Sequence, residues 1–420
     1  MHASRVEMQL TREEQSMLDG DQGDAVRDAL SFQIKVGQFW GARRFVPVTN
    51  AHMMGDIEIM GEGGLGWLRR SAARNAHCNL TVSTNARCVD FSLADKLQQD
   101  ASGVSKEKEL IGLLQAMNVT TADTCINYQT HHQPHFGERL AWGDTGAVIY
   151  ANSVFGARSN FESGPAALAA GITQRVPEYG FHLDQHRRGT FIVNVDANLD
   201  DVADWGALGK LVGETQPGYF QVPVFTGISR EPLGDELKHL GAALASFGSM
   251  AMFHMVGVTP EAPSVEAALA GNSPNAVVEI TNVDVDDVYS SYASNGAPSN
   301  LVVFSGPQLS LWELKNLSER FGSARVRTGT DVFITTEAGI LASARRLGYA
   351  QVLEDAGATI MVGVCFYILL DLSKMRARNG WETLVTNSAK LANVIGAHGF
   401  HTILRRTQDC VDSAVSGGLR

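Results

Sequence analysis

The sequence predicts a multi-lobed α/β protein in which parallel sheets are flanked by helices, and three observations predict it. From residue 300 onward, strand-like and helix-like segments alternate: LVVFS, SLWELKNLSERFG, DVFIT, EAGILASARRLG, YAQVLEDAG and ATIMVGVCF. The strand-like runs are apolar on both faces, as expected of parallel strands buried under helices. Finally, 420 residues exceed what one core usually fills, so two or three lobes around a central cleft are expected, the last spanning about 300–420.

The first local element is LTREEQSMLDG. Thr11 and Glu14 have capping-box spacing, Leu10 stands where a hydrophobic staple would, and Gly20 ends the helix. The same device recurs at Ser310 and Glu313, with a stop at Gly322. Between these, TFIVNVDAN reads as a strand, DELKHLGAALASFG as a helix and MAMFHMVGV as a further strand.

Composition narrows the function. Hydrophobic residues make up 44% and charged residues 19%, the profile of a folded globular chain. With 34 Lys and Arg against 45 Asp and Glu, the net charge of -11 disfavours binding to nucleic acid or to an anionic membrane. The charged N-terminus lacks the apolar stretch of a signal peptide, and the run Ile360 to Leu370 is too short to cross a bilayer, so a cytoplasmic location is expected. Five cysteines suit no disulfide framework and read as free thiols or metal ligands.

Three motifs carry candidate chemistry. GEGGLG at 61–66 follows the strand-like DIEIM and precedes the helix-like WLRRSAAR, the context of a dinucleotide loop. In a chain with 42 glycines, and with Asp90 as the nearest suitable acid, a glycine loop lining some other pocket is the plainer reading. THHQPHFGE offers His131, His132, His135 and Glu138, yet Pro134 breaks the helix that would aim them at one metal. Among the cysteines, Cys365 ends an apolar strand, Cys410 lies at the start of the final helix where the dipole favours thiolate, and Cys125 sits in a polar loop. Cys78 and Cys88 read as structural. Three such thiols can converge at a cleft or can be unrelated core residues.

AWGDTGAVIYANSVFGARSNFESGP at 141–165 resembles the signature of the aconitase X catalytic subunit. So do MLDGDQGDAV at 17–26, TNAHMMGD at 49–56, TCINY at 124–128, HMVGVTPEAP at 254–263, TNSAK at 386–390 and CVDSAVSGG at 410–418. The matches run in family order along nearly the whole chain. The resemblance implies an aconitase-like architecture and a hydro-lyase with an iron-sulfur cluster, of 2Fe-2S type, or a mononuclear iron. It implies Cys125, Cys365 and Cys410 as the metal ligands and a small subunit, absent from this chain, that supplies a catalytic serine as base. Polar positions carried over by local match are His52, Asn85, Ser388 and Lys390 for catalysis, with Asn152, Ser153, Arg158, Ser159, Asn160 and Phe161 for substrate. Arg158 is the expected carboxylate clamp, because its planar fork matches a carboxylate bidentately.

Two departures from the resemblance are visible: GPQLS at 306–310 lacks the Cys and His of some members, and VGVC lacks an acid before Cys365. The leading expectation is dehydration of cis-3-hydroxy-L-proline to 1-pyrroline-2-carboxylate, since Phe161 stands where the phosphate-using branch places an arginine. The alternatives are dehydration of mevalonate 5-phosphate, a nucleotide-dependent oxidoreductase built on GEGGLG, and a non-catalytic scaffold subunit.

Overall fold

The computed structural model describes residues 7–293 and 299–417. The start of the charged N-terminal stretch, Met1 to Val6, and Gly418 of the last motif lie outside these residues. Three separate parallel sheets organise the chain. The first runs in the order Val119–Thr120, Thr81–Thr84, Asn50–Met53, Leu140–Trp142. The second runs Val277–Thr281, Phe191–Asp196, Pro223–Thr226, His254–Met255. The third has five strands: Thr359–Val362, Asp331–Thr336, Ser299–Leu309, Thr383–Thr386 and His401–Leu404. Crossover helices cover the faces of the first and third sheets, whose central strands are buried almost throughout, while Phe191–Asp196 in the second alternates buried and half-buried residues. Among the described residues, no helix is long and apolar enough to cross a membrane.

Both capping boxes form. Thr11 accepts from the Glu14 amide and Glu14 returns the bond, starting helix Arg12–Asp19, which ends on left-handed Gly20. Ser310 and Glu313 do the same for Leu311–Phe321.

The segment DIEIM is not a strand. Asp56 caps a helix, Ile57–Ala73, by accepting from the Ile59 amide, and GEGGLG lies inside that helix. Four glycines are a poor helical sequence, and the strain is released at Gly61, whose φ of 59° and ψ of -171° break the helix into two parts. No loop is left there to cradle a pyrophosphate, so the dinucleotide reading fails.

Strand Thr359–Val362 also ends sooner than its apolar run suggests. Left-handed Gly363 turns the chain, and Cys365 caps a short 3₁₀ turn, Phe366–Ile368. The turn matters because it docks the third sheet on the first. Val364 bridges Arg87 in parallel, the Arg87 amide donates to Gly363 O at 2.9 Å, and the Leu370 amide donates to Cys88 O at 3.0 Å.

Candidate active site

Ligand sites in open α/β sheets lie beyond the carboxyl ends of the strands, and here two sets of such ends meet. The first sheet delivers Met54, Asn85, the Asp123–Cys125 loop and Asp144 just after its four strands. The third delivers Gln308, Glu337, Cys365, Ser388 and Lys390. Gln308 joins the two: its side-chain amide donates to Asp123 O at 3.1 Å and to Val364 O at 3.2 Å. Its backbone amide donates to Cys125 Sγ at 3.2 Å, and its Oε1 accepts from the Cys125 amide at 3.3 Å. Cys365 meets the same strand, with Sγ 3.7 Å from Ser305 Oγ.

Around these strand ends the protein leaves several buried polar groups unpaired. His52 Nδ1 is 2.8 Å from Ser83 Oγ, while its Nε2 has no partner. Asn85 Oδ1 and both polar atoms of the Asn127 side chain are likewise buried and unpartnered. Buried polar atoms are almost always satisfied, so a cluster of orphans marks a place where a polar ligand belongs. Asp144 caps the helix Thr145–Tyr150 by accepting from the Ala147 amide, and its other oxygen lies 3.9 Å from Lys390 Nζ. Gly143, just before it, passes so near the neighbouring chain that a Cβ would sit 2.1 Å from Ser163 O.

Electrostatics fit this arrangement. Burial pulls the His52 imidazole down to about 4 against the opposing pull of Asp144, so the ring is neutral near pH 7. Burial would also neutralise Lys390, but the Asp144 carboxylate opposes it and the ammonium stays charged. The same ammonium pulls the Cys125 and Cys365 thiols down while burial pushes them up, and burial is the larger effect.

Not every residue expected at the site reaches it. Asn152 donates to Ser159 O and Ala251 O, and its own oxygen accepts from the Ser159 amide. Ser153 accepts from the Phe253 amide, and Ser159 accepts from the Trp142 amide. Asn160 bonds Tyr179 O, the Phe181 amide and the Tyr219 hydroxyl. These side chains knot the backbone around a π-helical turn, Ala151–Phe155. Arg158 is committed to His182 O and to Asp184 at 2.5 Å, so it is no free carboxylate clamp. Phe161 packs edge-on against Tyr219, ring centroids 5.3 Å apart. Ser388 caps Ala389–Val394 and bonds Gly306 O, a positioning task for Lys390. His132 and His135 both turn to Glu138, so THHQPHFGE is no metal centre.

Cys410 is the largest departure. It does lie in the first turns of the last helix, Thr407–Ser416, but its thiol faces Arg405 O at 3.6 Å within the apolar core of the third sheet. Burial, Asp201 and Asp409 push it well above the ordinary thiol range, and Cys125 and Cys365 are not among its neighbours. Cys78 and Cys88 are buried in the core of the first lobe. Sequence reasoning missed Asp144, Asn127 and Gln308. The run GDTGA, an Asp before a helix, was a readable signal for the first of them.

The family models that match this chain are the aconitase X first domain at residues 7–185, second domain at 189–290 and third domain at 299–416. The chain belongs to the aconitase X family. It is 33% identical over 393 residues to the phosphomevalonate dehydratase large subunit of Methanothermobacter thermautotrophicus, covering 92% of this chain and 93% of that protein. It is 29% identical to the cis-3-hydroxy-L-proline dehydratase of Pseudomonas aeruginosa over 96% of this chain, but over only 69% of that longer protein. The crystal structure of Thermococcus kodakaraensis aconitase X in its holo-form superposes with a TM-score of 0.86 at 29% identity, covering 97% of this chain and all of that one. This aconitase X chain is a dehydratase, a hydro-lyase, and the name large subunit among its relatives implies a small-subunit partner.

Membership in aconitase X suggests an iron-sulfur cluster. The residues present do not fit a cluster held by three thiolates of this chain. Cys125 and Cys365 belong to one buried cluster and Cys410 to another, and among the described residues no three His, Cys, Asp or Glu side chains could hold one metal ion.

Proposed function

We propose that this chain is the large subunit of a dehydratase whose substrate is cis-3-hydroxy-L-proline, with a small subunit providing the base. The observation that carries the reading is the local charge balance: one buried ammonium, Lys390, beside one carboxylate, Asp144. A single ammonium matches a single substrate carboxylate, whereas a phosphate carries close to two negative charges and calls for several cationic or amide donors. Arg158 is tied to Asp184 and Arg87 to Glu107 and Asp123, so neither is available for that work.

In this reading Lys390 receives the carboxylate and Asp144 keeps the ammonium charged and aimed. The base takes the proton from the carbon next to the carboxylate, and the hydroxyl on the adjacent carbon departs with a proton as water. The resulting enamine tautomerises to the cyclic imine. Nε2 of neutral His52 and Oδ1 of Asn85, the unpartnered atoms, supply hydrogen bonds to the hydroxyl and the ring nitrogen. Cytoplasmic location and a serine as the base belong to the same proposal.

A second reading, dehydration of mevalonate 5-phosphate, is favoured by the phosphomevalonate dehydratase large subunits at 30–33% identity, whose lengths this chain also matches. Turnover of both substrates by the large subunit co-expressed with its small partner decides between them. Preference for cis-3-hydroxy-L-proline under matched conditions supports the proposal, and preference for the phosphorylated acid overturns it.

A further inference from the structure

Lys390 is a buried ammonium with no hydrogen bond of its own. Among the described residues nothing accepts from its Nζ, and the carboxylate it faces, Asp144, stands 3.9 Å away. A lysine ends in a point charge on a flexible four-carbon stem, so one that must meet a substrate carboxylate needs something to hold it in place. The structure supplies an aromatic face. Lys390 Nζ lies over the Tyr367 ring, 5.8 Å from its centroid, within the distance at which the ring attracts a cation. That attraction is stronger where water is kept away, and Lys390 is buried.

Tyr367 is itself well fixed. It is the middle residue of the 3₁₀ turn Phe366–Ile368, directly after Cys365. The Phe366 amide donates to Ser305 Oγ at 3.1 Å, and His398 Nε2 lies 2.9 Å from Tyr367 O. The Ile368 amide donates to Cys365 O at 3.2 Å. The half-buried ring packs against two separate apolar clusters, one of them shared with Cys125 and Cys365. Among the described residues its hydroxyl has no hydrogen-bond partner, so the contact that ties this ring to the site is its face and not its phenol.

We infer that Tyr367 is a positioning residue for Lys390, its ring face steadying the ammonium beside Asp144. A ring face attracts the cation without engaging it as a carbonyl or carboxylate would, which leaves the three N–H donors of the ammonium for a ligand. The inference rests on the reading of Lys390 as the receptor of the substrate carboxylate. It holds for either hydroxy acid, since both carry a carboxylate.

The test uses the large subunit co-expressed with its small partner, and the hydroxy acid that this complex turns over. Replacing Tyr367 by phenylalanine, and then by mono-, di- and trifluorophenylalanine, keeps the shape of the ring while draining charge from its face. Tyr367→Phe should hold KM within about twofold, and KM should then climb with each fluorine to on the order of tenfold while kcat changes by less than about twofold. Tyr367→Leu should raise KM on the order of tenfold as well, and if that variant fails to fold the fluorinated series still decides. In a Lys390→Met background, where KM is already raised, fluorination at 367 should have no further effect. A KM that stays flat across the series while Lys390→Met is impaired, or a series in which kcat alone falls, overturns the inference. An unaltered KM in Lys390→Met overturns instead the reading of Lys390 beneath it, and the positioning role with it.

Discussion

Lys390 Nζ and Asp144 Oδ2 face each other at 3.9 Å, both side chains buried, attracting without a hydrogen bond between them. Beyond hydrogen-bond distance, the ammonium keeps its donors for a ligand beside the pair. Each residue follows the end of a strand in a different sheet, so the pair also reports that the two sheets are docked.

Lys390→Met therefore removes the carboxylate receptor and leaves Asp144 buried without a cation. Breaking one side of a buried pair costs about 3–5 kcal/mol, equivalent to roughly 10²–10³ in an equilibrium constant. We expect kcat/KM to fall by at least about 10²-fold with the circular dichroism spectrum retained. A variant with near wild-type kcat/KM would remove Lys390 from the site.

For His52 the measurement is a pH profile. Because burial holds its imidazole at about 4, it contributes no acid limb in the range around 6.5 where exposed histidines titrate. His52→Gln should lower kcat while leaving the profile between pH 6 and 7 unchanged in shape, the pH values here being about where an ordinary histidine would show. A limb in that range that disappears with the substitution would contradict the assignment.

The strand carrying Gln308 is anchored by Lys238, whose ammonium is fully buried against Glu313, Asp235 and Gln308 O. Burial alone would raise the Glu313 carboxyl, but Lys238 and His239 bring it down to about 2. A depressed carboxyl contributes stability that is complete above its unfolded value of 4.5 and lost as pH falls toward about 2. Lys238→Met should cost about 3–5 kcal/mol and move acid unfolding to higher pH, as followed by thermal melts across pH.

Glu162 has the opposite sign. It is buried with one oxygen unpartnered, and burial lifts it to about 7. Its contribution is complete below its unfolded value of 4.5 and fades as pH rises through about 7. Glu162→Gln should thus leave Tm nearly unchanged at about pH 5 and raise it relative to wild type at about pH 8. A difference that does not grow with pH would refute this.

Phe161 tests substrate choice. Its ring meets Tyr219 edge-on, and Tyr219 in turn holds Asn160. Phe161→Arg removes an aromatic contact of about 0.5–1.5 kcal/mol and places a cation beside the signature knot. Turnover of cis-3-hydroxy-L-proline should fall several-fold, while Arg158→Ala, which breaks a partly exposed pair, should change KM less than about threefold.

The legible parts of this protein were those written locally. A Thr-x-x-Glu or Ser-x-x-Glu pattern fixes a helix start through bonds between neighbours, and the parallel lobe after residue 300 announces itself by doubly apolar strands. DIEIM misled because its apolar alternation imitates a strand, whereas the Asp56 cap and the helix after it decide the matter. Cys410 shows the other limit. Its place on a helix was readable, but which core its side chain enters depends on how that helix rolls against the third sheet, a long-range fact. Gln308 escaped notice for the same reason, since its partners at Asp123 and Val364 are 185 and 56 residues away.

That Gln308 bridge bears on the life of the chain during synthesis. Contacts between residues so far apart in sequence form late in folding, after each lobe has closed on itself. A nascent chain through the second lobe owns Cys125 but neither Cys365 nor Lys390. It therefore emerges from the ribosome with half a thiol pair, and the region around Lys390 and Asp144 is complete only once the third lobe has been made.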